Sequence, residues 1–191
     1  MVRAGSLSTV CRQYNNYFSS ESVDFKSEDF IVSVNTNQDK DKQCVIGECS
    51  TSGSVSVSET ELLEHPEYLG NSGSMSWNLT YNRAIGFEKG FLSKELNWVV
   101  PGMQTEFSGT IIYNGEEFNV TAKRSFGYYD KNWGRDFTSP FFHLGSSFLT
   151  SQISGKLLDG SAFAVQGEYN GTLTVLISLE GNIIEFHAEK G

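Results

Sequence analysis

The sequence predicts an all-β protein whose strands follow one another as an antiparallel meander. Three observations carry that expectation. Alanine, the strongest helix former, occurs only six times, whereas aromatic residues make up 13% of the chain and Val, Ile and Thr are abundant; β-branched and aromatic side chains favour strands. Apolar and polar residues alternate with a period of two in several short segments. Turn signals separate those segments, and those at Gly160, Gly171 and Gly181 are about ten residues apart.

The elements follow in order. Residues 1–28 are polar, rich in Ser and weakly patterned, so they are expected to be irregular, and residues 29–191 to form one β domain. Ser54-Val55-Ser56-Val57-Ser58 alternates cleanly. Glu59 to Tyr68 is the one helical stretch, with Ser58 placed to cap it and Pro66 to end it early. Met75, Trp77, Leu79 and Tyr81 alternate with Ser74, Ser76, Asn78 and Thr80, which places the Trp77 set on a buried face and the Asn78 set in water. Asn114-Gly115 between Thr110–Tyr113 and Phe118–Thr121 is a strong hairpin signal. Asp159-Gly160 lies between Leu157-Leu158 and Ala162–Val165, Asn170-Gly171 precedes the alternation of Leu173, Val175 and Ile177, and Glu180-Gly181-Asn182 turns the chain into Ile183–Phe186. The last strand signal stops near the end of the chain and leaves open whether the strands seal an edge.

Composition excludes several functions. The chain has 191 residues, enough for one domain with a substantial core. Lys plus Arg number 14 against 23 Asp plus Glu, a net charge of -9, which argues against nucleic acid as the partner. No apolar run reaches the length of a membrane span, so stable insertion is not expected. The first residues lack the apolar core of a signal peptide, and the odd set Cys11, Cys44 and Cys49 suggests free thiols in a reducing, cytoplasmic compartment. Cys44 and Cys49 lack a second ligand pair for zinc, so no metal is expected. No glycine-rich phosphate loop, no Gly-x-Ser-x-Gly elbow and no His-Glu-x-x-His are present, and no cofactor is expected.

The densest chemistry lies in Gly127-Tyr128-Tyr129-Asp130-Lys131-Asn132-Trp133-Gly134-Arg135-Asp136-Phe137. In an extended chain Tyr129, Lys131 and Trp133 share one face, and Tyr128, Asp130 and Asn132 the other. Either face then buries polar groups that need partners. A barrel corner, with Trp133 as a plug and Lys131 or Arg135 paired to a carboxylate, would explain these residues structurally. A strand that breaks the apolar-in rule is also where a site is often found.

Tyr129-Asp130-Lys131-Asn132-Trp133-Gly134, followed by Phe137 and Phe141-Phe142, resembles the central motif of the tocopherol cyclase family. Leu96-Asn97-Trp98-Val99-Val100-Pro101-Gly102-Met103, the Asn114-Gly115 hairpin and Phe118 precede it in the same order as in that family. The resemblance spans about residues 74–150. It extends more distantly to carotenoid hydratases and to lipocalin-like fungal cyclases of the Diels–Alderase type. Thr138 stands where family members commonly have Pro, and Phe141, His143 and Gly145 where they often have two Trp and a Gln.

The resemblance implies an antiparallel up-and-down lipocalin-like barrel around a deep apolar cavity, with an incomplete barrel as the alternative for this chain. It implies acid-assisted cyclisation or addition at a prenyl double bond of a small, apolar, prenylated ligand. Such chemistry needs a protonated carboxylic acid in a dry site and aromatic faces near a developing carbocation. Asp130 is the candidate acid, Asn132 its orienting partner, and His143 an assistant in proton transfer if its face lines the cavity. Tyr129, Lys131, Trp133, Phe141, Trp77 and Trp98 are the candidate ligand-binding residues. Lys131 would oppose an acidic role for Asp130 unless the two point to opposite faces. His65 and His187 read as structural or exposed. The alternative is a non-catalytic lipocalin-like carrier of an apolar ligand, in which Asp130 sits in a surface ion pair. A carbohydrate-binding sandwich fits less well, because the Trp77 strand reads as buried on one side.

Overall fold

The computed structural model describes residues 2–5, 11–26, 31–35, 39–92, 96–134, 141–168 and 171–189. The chain is mostly antiparallel β-sheet, with one six-residue helix and one short 3-10 turn at Ser20–Ser22 among the described residues. It divides into two compact units, Met1–Tyr81 with Ser108–Thr121, and Asn82–Phe107 with Ala122–Gly191. No helix among the described residues is long and apolar enough to cross a membrane.

The first unit begins with β1 (Val2–Gly5) paired to β2 (Cys11–Tyr14). A meander follows in chain order: β3 (Val23–Lys26), β4 (Ile31–Val34), β5 (Gln43–Ile46), β6 (Ser50–Val57), and the start of β7 (Gly73–Leu92). The end of β8 (Leu96–Tyr113) and β9 (Glu116–Val120) complete it. Strands β1 to β3 thus lie inside the stretch expected to be irregular. Four-residue strands such as Cys11-Arg12-Gln13-Tyr14 are too short and too polar to show a period.

Between β6 and β7 sits α1 (Glu59–Glu64). The Ser58 hydroxyl accepts from the Glu61 N–H at 3.0 Å and caps it, and the helix stops at His65, before Pro66. Asn114 and Gly115 both have positive φ, 48° and 86°, which makes the β8–β9 hairpin the type that matches strand twist. Asn114 also receives the Ser74 N–H on its Oδ1 at 2.8 Å, tying the turn to β7.

Val55, Val57 and Tyr14 form the buried core of this unit, with Met75, Trp77, Leu62 and Tyr113 packed against it. The period-two expectation for β7 holds except at Ser76: Leu79 and Tyr81 are buried, Met75 and Trp77 half-buried, and Ser74, Asn78 and Thr80 exposed, while Ser76 is half-buried too. The Trp77 ring lies across Gly53, its register partner on β6. A Cβ at position 53 would fall 2.6 Å from Trp77 Cζ2 and 2.6 Å from the Gln43 carbonyl.

The second unit pairs β10 (Phe126–Gly134) with the Leu96–Glu106 part of β8, next to which runs the far part of β7. A four-stranded sheet has the order β11 (Phe141–Ser146), β14 (Ala162–Glu168), β15 (Thr172–Leu179), β16 (Asn182–Glu189). The β14-β15-β16 run is the expected meander, and Glu180 and Gly181, with φ of 50° and 82°, turn β15 into β16. The Gly160 turn is not a hairpin, however. Leu157-Leu158 (β13) pairs with Leu149-Thr150 (β12) rather than with β14.

Phe87, Trp98, Val100 and Met103 are buried with Ala162, Ala164 and Leu176. Small alanines on β14 leave room for the large rings of this core. No pairing among the described residues closes a barrel: β3 and β16 each end their sheet order.

Replacing Gly53 by Ala is expected to cost about 1–3 kcal/mol, because neither the Trp77 ring nor the Gln43 backbone can yield freely. Urea unfolding midpoints would show it, with exposed Ser52→Ala as the near-neutral control; equal midpoints for the two variants would refute the steric account.

Candidate functional site

The site is built on β10 of the second unit. Its register against β8 shifts twice, between Gly127 and Tyr129 and between Tyr129 and Lys131. Such irregularities redirect side chains. Beyond them Asn132 lies opposite Trp98 and Lys131 opposite Val99.

Asp130 Oδ2 accepts two hydrogen bonds, from Trp98 Nε1 at 2.9 Å and from Asn132 Nδ2 at 3.1 Å. Asn132 is oriented in turn: its Oδ1 accepts from Gln166 Nε2 at 2.9 Å. Gln166 is on β14 and is fully buried, directly opposite His143 on β11. The His143 ring meets Trp98 edge-on at 5.9 Å and Tyr128 at 5.3 Å. The result is a half-buried carboxyl bounded by an indole, a phenol, an imidazole and two carboxamides. Among the described residues no cation pairs with Asp130.

Tyr128 packs against the core that holds Trp98, and its hydroxyl is buried without a hydrogen-bond partner among the described residues. Burial, and then the nearby Asp130 charge, hold this phenol far above its ordinary pKa. It is therefore an O–H that stays protonated, set beside the carboxyl.

The sequence-predicted residues do not form one cluster. Trp98, Asp130, Asn132 and His143 come together. Lys131 Nζ lies 5.3 Å over the ring of Trp133, which is 40% exposed, so these two form a cation–π pair at the surface. Tyr129 is half-buried opposite Gly102. Trp77 belongs to the first unit, where its Nε1 donates to Thr51 Oγ1 at 3.0 Å. The Phe141 backbone pairs with Glu168 in β11–β14; its side chain, like residues 135–140 of the same motif, lies outside the described residues.

One expectation changes. Trp98 was expected to wall a cavity, but it has no accessible surface, so its ring faces no space of even a water's size. It acts on Asp130 through its N–H. His65 and His187 are exposed as expected; the first pairs with Glu67 and stacks on Tyr68, the second meets Thr174 at 3.1 Å.

Sequence reading missed Gln166 as a partner and Tyr128 as a site residue. Gln166 had a signal: in Ala162-Phe163-Ala164-Val165-Gln166 it is the polar residue at the inward position of the alternation. Comparison of the chain with protein-family models, with curated proteins and with solved structures finds no match in any of the three.

The raised pKa of Tyr128 gives a signed pH dependence. Below about pH 10, the ordinary phenol value, folded and unfolded chains are both neutral at this group. Above it the unfolded chain releases the proton and the folded chain holds it, so stability falls as pH rises. The drop in urea midpoint between about pH 8 and about pH 11 should be smaller in Tyr128→Phe than in the parent. Equal drops would show that the phenol is not held protonated.

Proposed function

We propose that the protein is tocopherol cyclase-like and catalyses acid-assisted cyclisation or addition at a prenyl double bond of a small apolar ligand. On this reading the chain is a divergent, unsealed variant of the lipocalin-like barrel. The observation that carries the reading is the way Asp130 is held. Both neutral donors converge on Oδ2, and Oδ1 has no partner among the described residues. Oδ2 is fixed as an acceptor, and Oδ1 stays open to carry the proton in the acid form that acts on the ligand, the ionised form being the one that bears on Tyr128.

The step balances without a cofactor. The Asp130 carboxyl gives its proton to one alkene carbon, and the adjacent carbon becomes cationic. A phenol oxygen of the same ligand attacks that carbon, the C–O bond forms, and the phenol proton returns to the carboxylate. For a hydratase-like variant, water takes the place of the phenol. The aromatic ring of Tyr128 supplies a negative face near the developing cation. Asn132 orients the acid through its bond to Oδ2, and His143, exposed beside Tyr128, relays protons between the site and water. Lys131, drawn over Trp133, is directed to the other side of β10, which reduces its opposition to a protonated Asp130.

Half-buried Cys44 and exposed Cys49 are free thiols, which supports a reducing compartment such as the cytoplasm.

The test is turnover of a prenylated hydroquinone by the parent and by Asp130→Asn. The variant should bind within about two-fold of the parent and lose turnover by about 100-fold or more. Binding without turnover in the parent would defeat the enzymatic reading in favour of a carrier; no binding by the parent would defeat both.

A further inference from the structure

We propose that the first unit carries a separate binding pocket, for a one- or two-ring, mostly apolar molecule seated between the Trp77 indole and Cys44. It is independent of the Asp130 reading, and no residue is shared between the two sites. The pocket measures about 260 Å³, and Trp77, Tyr14, Phe18, Ile46, Val55 and Cys44 are among its walls. That is just below the usual range for small-molecule sites, which sets the size of the occupant. A prenylated quinol with a long tail is too large for it.

The register explains how the pocket arises. Cys44, Gly53 and Trp77 lie in line across β5, β6 and β7. Because position 53 carries no side chain, the indole lies across β6 toward β5. The indole N–H donates to Thr51 Oγ1, and that hydroxyl donates to the Val45 carbonyl at 3.0 Å. The ring is thereby pinned and its polar atom spent, while it stays half-buried rather than packed over.

Of the polar neighbours, Gln43 brings a carboxamide to the wall, and the others are spent. Asn16 is bonded in both directions to the Ser56 backbone, at 2.9 and 3.3 Å, and the Ser54 hydroxyl donates to the Lys40 carbonyl. Tyr14, fully buried, shares its hydroxyl with Tyr113 at 3.1 Å. A water needs two or more polar partners to be held well, and this space offers few. Water there is displaced at little cost by ring carbons. The chemistry thus selects a flat apolar occupant, stacked on or edged against Trp77, with the Cys44 thiol at its margin.

The thiol provides the readout. In the full chain carrying Cys11→Ser and Cys49→Ser, Cys44 is the only cysteine left. Its labelling by N-ethylmaleimide should slow at least five-fold at saturating naphthol. Val55→Phe, which fills the pocket, should abolish that protection while circular dichroism stays unchanged; Ile46→Phe serves the same purpose if Val55→Phe does not fold. Asp130→Asn should retain full protection, since it belongs to the other unit. Labelling that naphthol does not slow, or protection that survives a folded filling variant, would overturn the proposal.

Discussion

A half-buried carboxyl with no paired cation among the described residues is held here by neutral donors, and much of the second unit follows from that requirement. The indole of Trp98 and the carboxamide of Asn132 supply the donors, and Gln166 supplies the donor that fixes Asn132. This chain of bonds joins three strands, β8, β10 and β14. Each bond removes a polar group that burial would otherwise penalise. Removing any one link leaves the next without its partner, so the network behaves as a unit rather than as separate contacts.

The register of β10 against β8 shifts twice, yet Tyr128, Asp130 and Asn132 keep the face that plain alternation gives them and the Lys131–Trp133 pair the other. Opposite charges on neighbouring residues are thereby drawn to different partners, and an otherwise strong local attraction does not fix the carboxyl in place.

Much of this was legible in the sequence. The all-β class, the Ser58 cap, the turns at Asn114-Gly115 and Glu180-Gly181, and the buried face of Met75, Trp77, Leu79 and Tyr81 follow from local rules that the structure obeys. The convergence of Asp130, Asn132 and Trp98 was foreshadowed by polar residues on a strand that had to bury one face. Other features depend on partners distant in sequence. Nothing near Leu157-Leu158 says that it pairs backward with Leu149-Thr150. The full burial of Trp98 depends on small residues at positions 162 and 164 of another strand. The division into two units cuts through β7 and β8, long strands whose local pattern gives no sign of a boundary.

The crossing of Trp77 over Gly53 links two positions that are 24 residues apart in the chain. The indole occupies the volume a side chain at 53 would need, so each residue sets what the other tolerates. A smaller group at 77 would relieve the ring's share of the clash at 53, though not that of the Gln43 carbonyl, and a double-mutant cycle should show the two positions coupled. In any lineage of this chain the two sites are constrained to drift together, so that their correlated substitution records the contact.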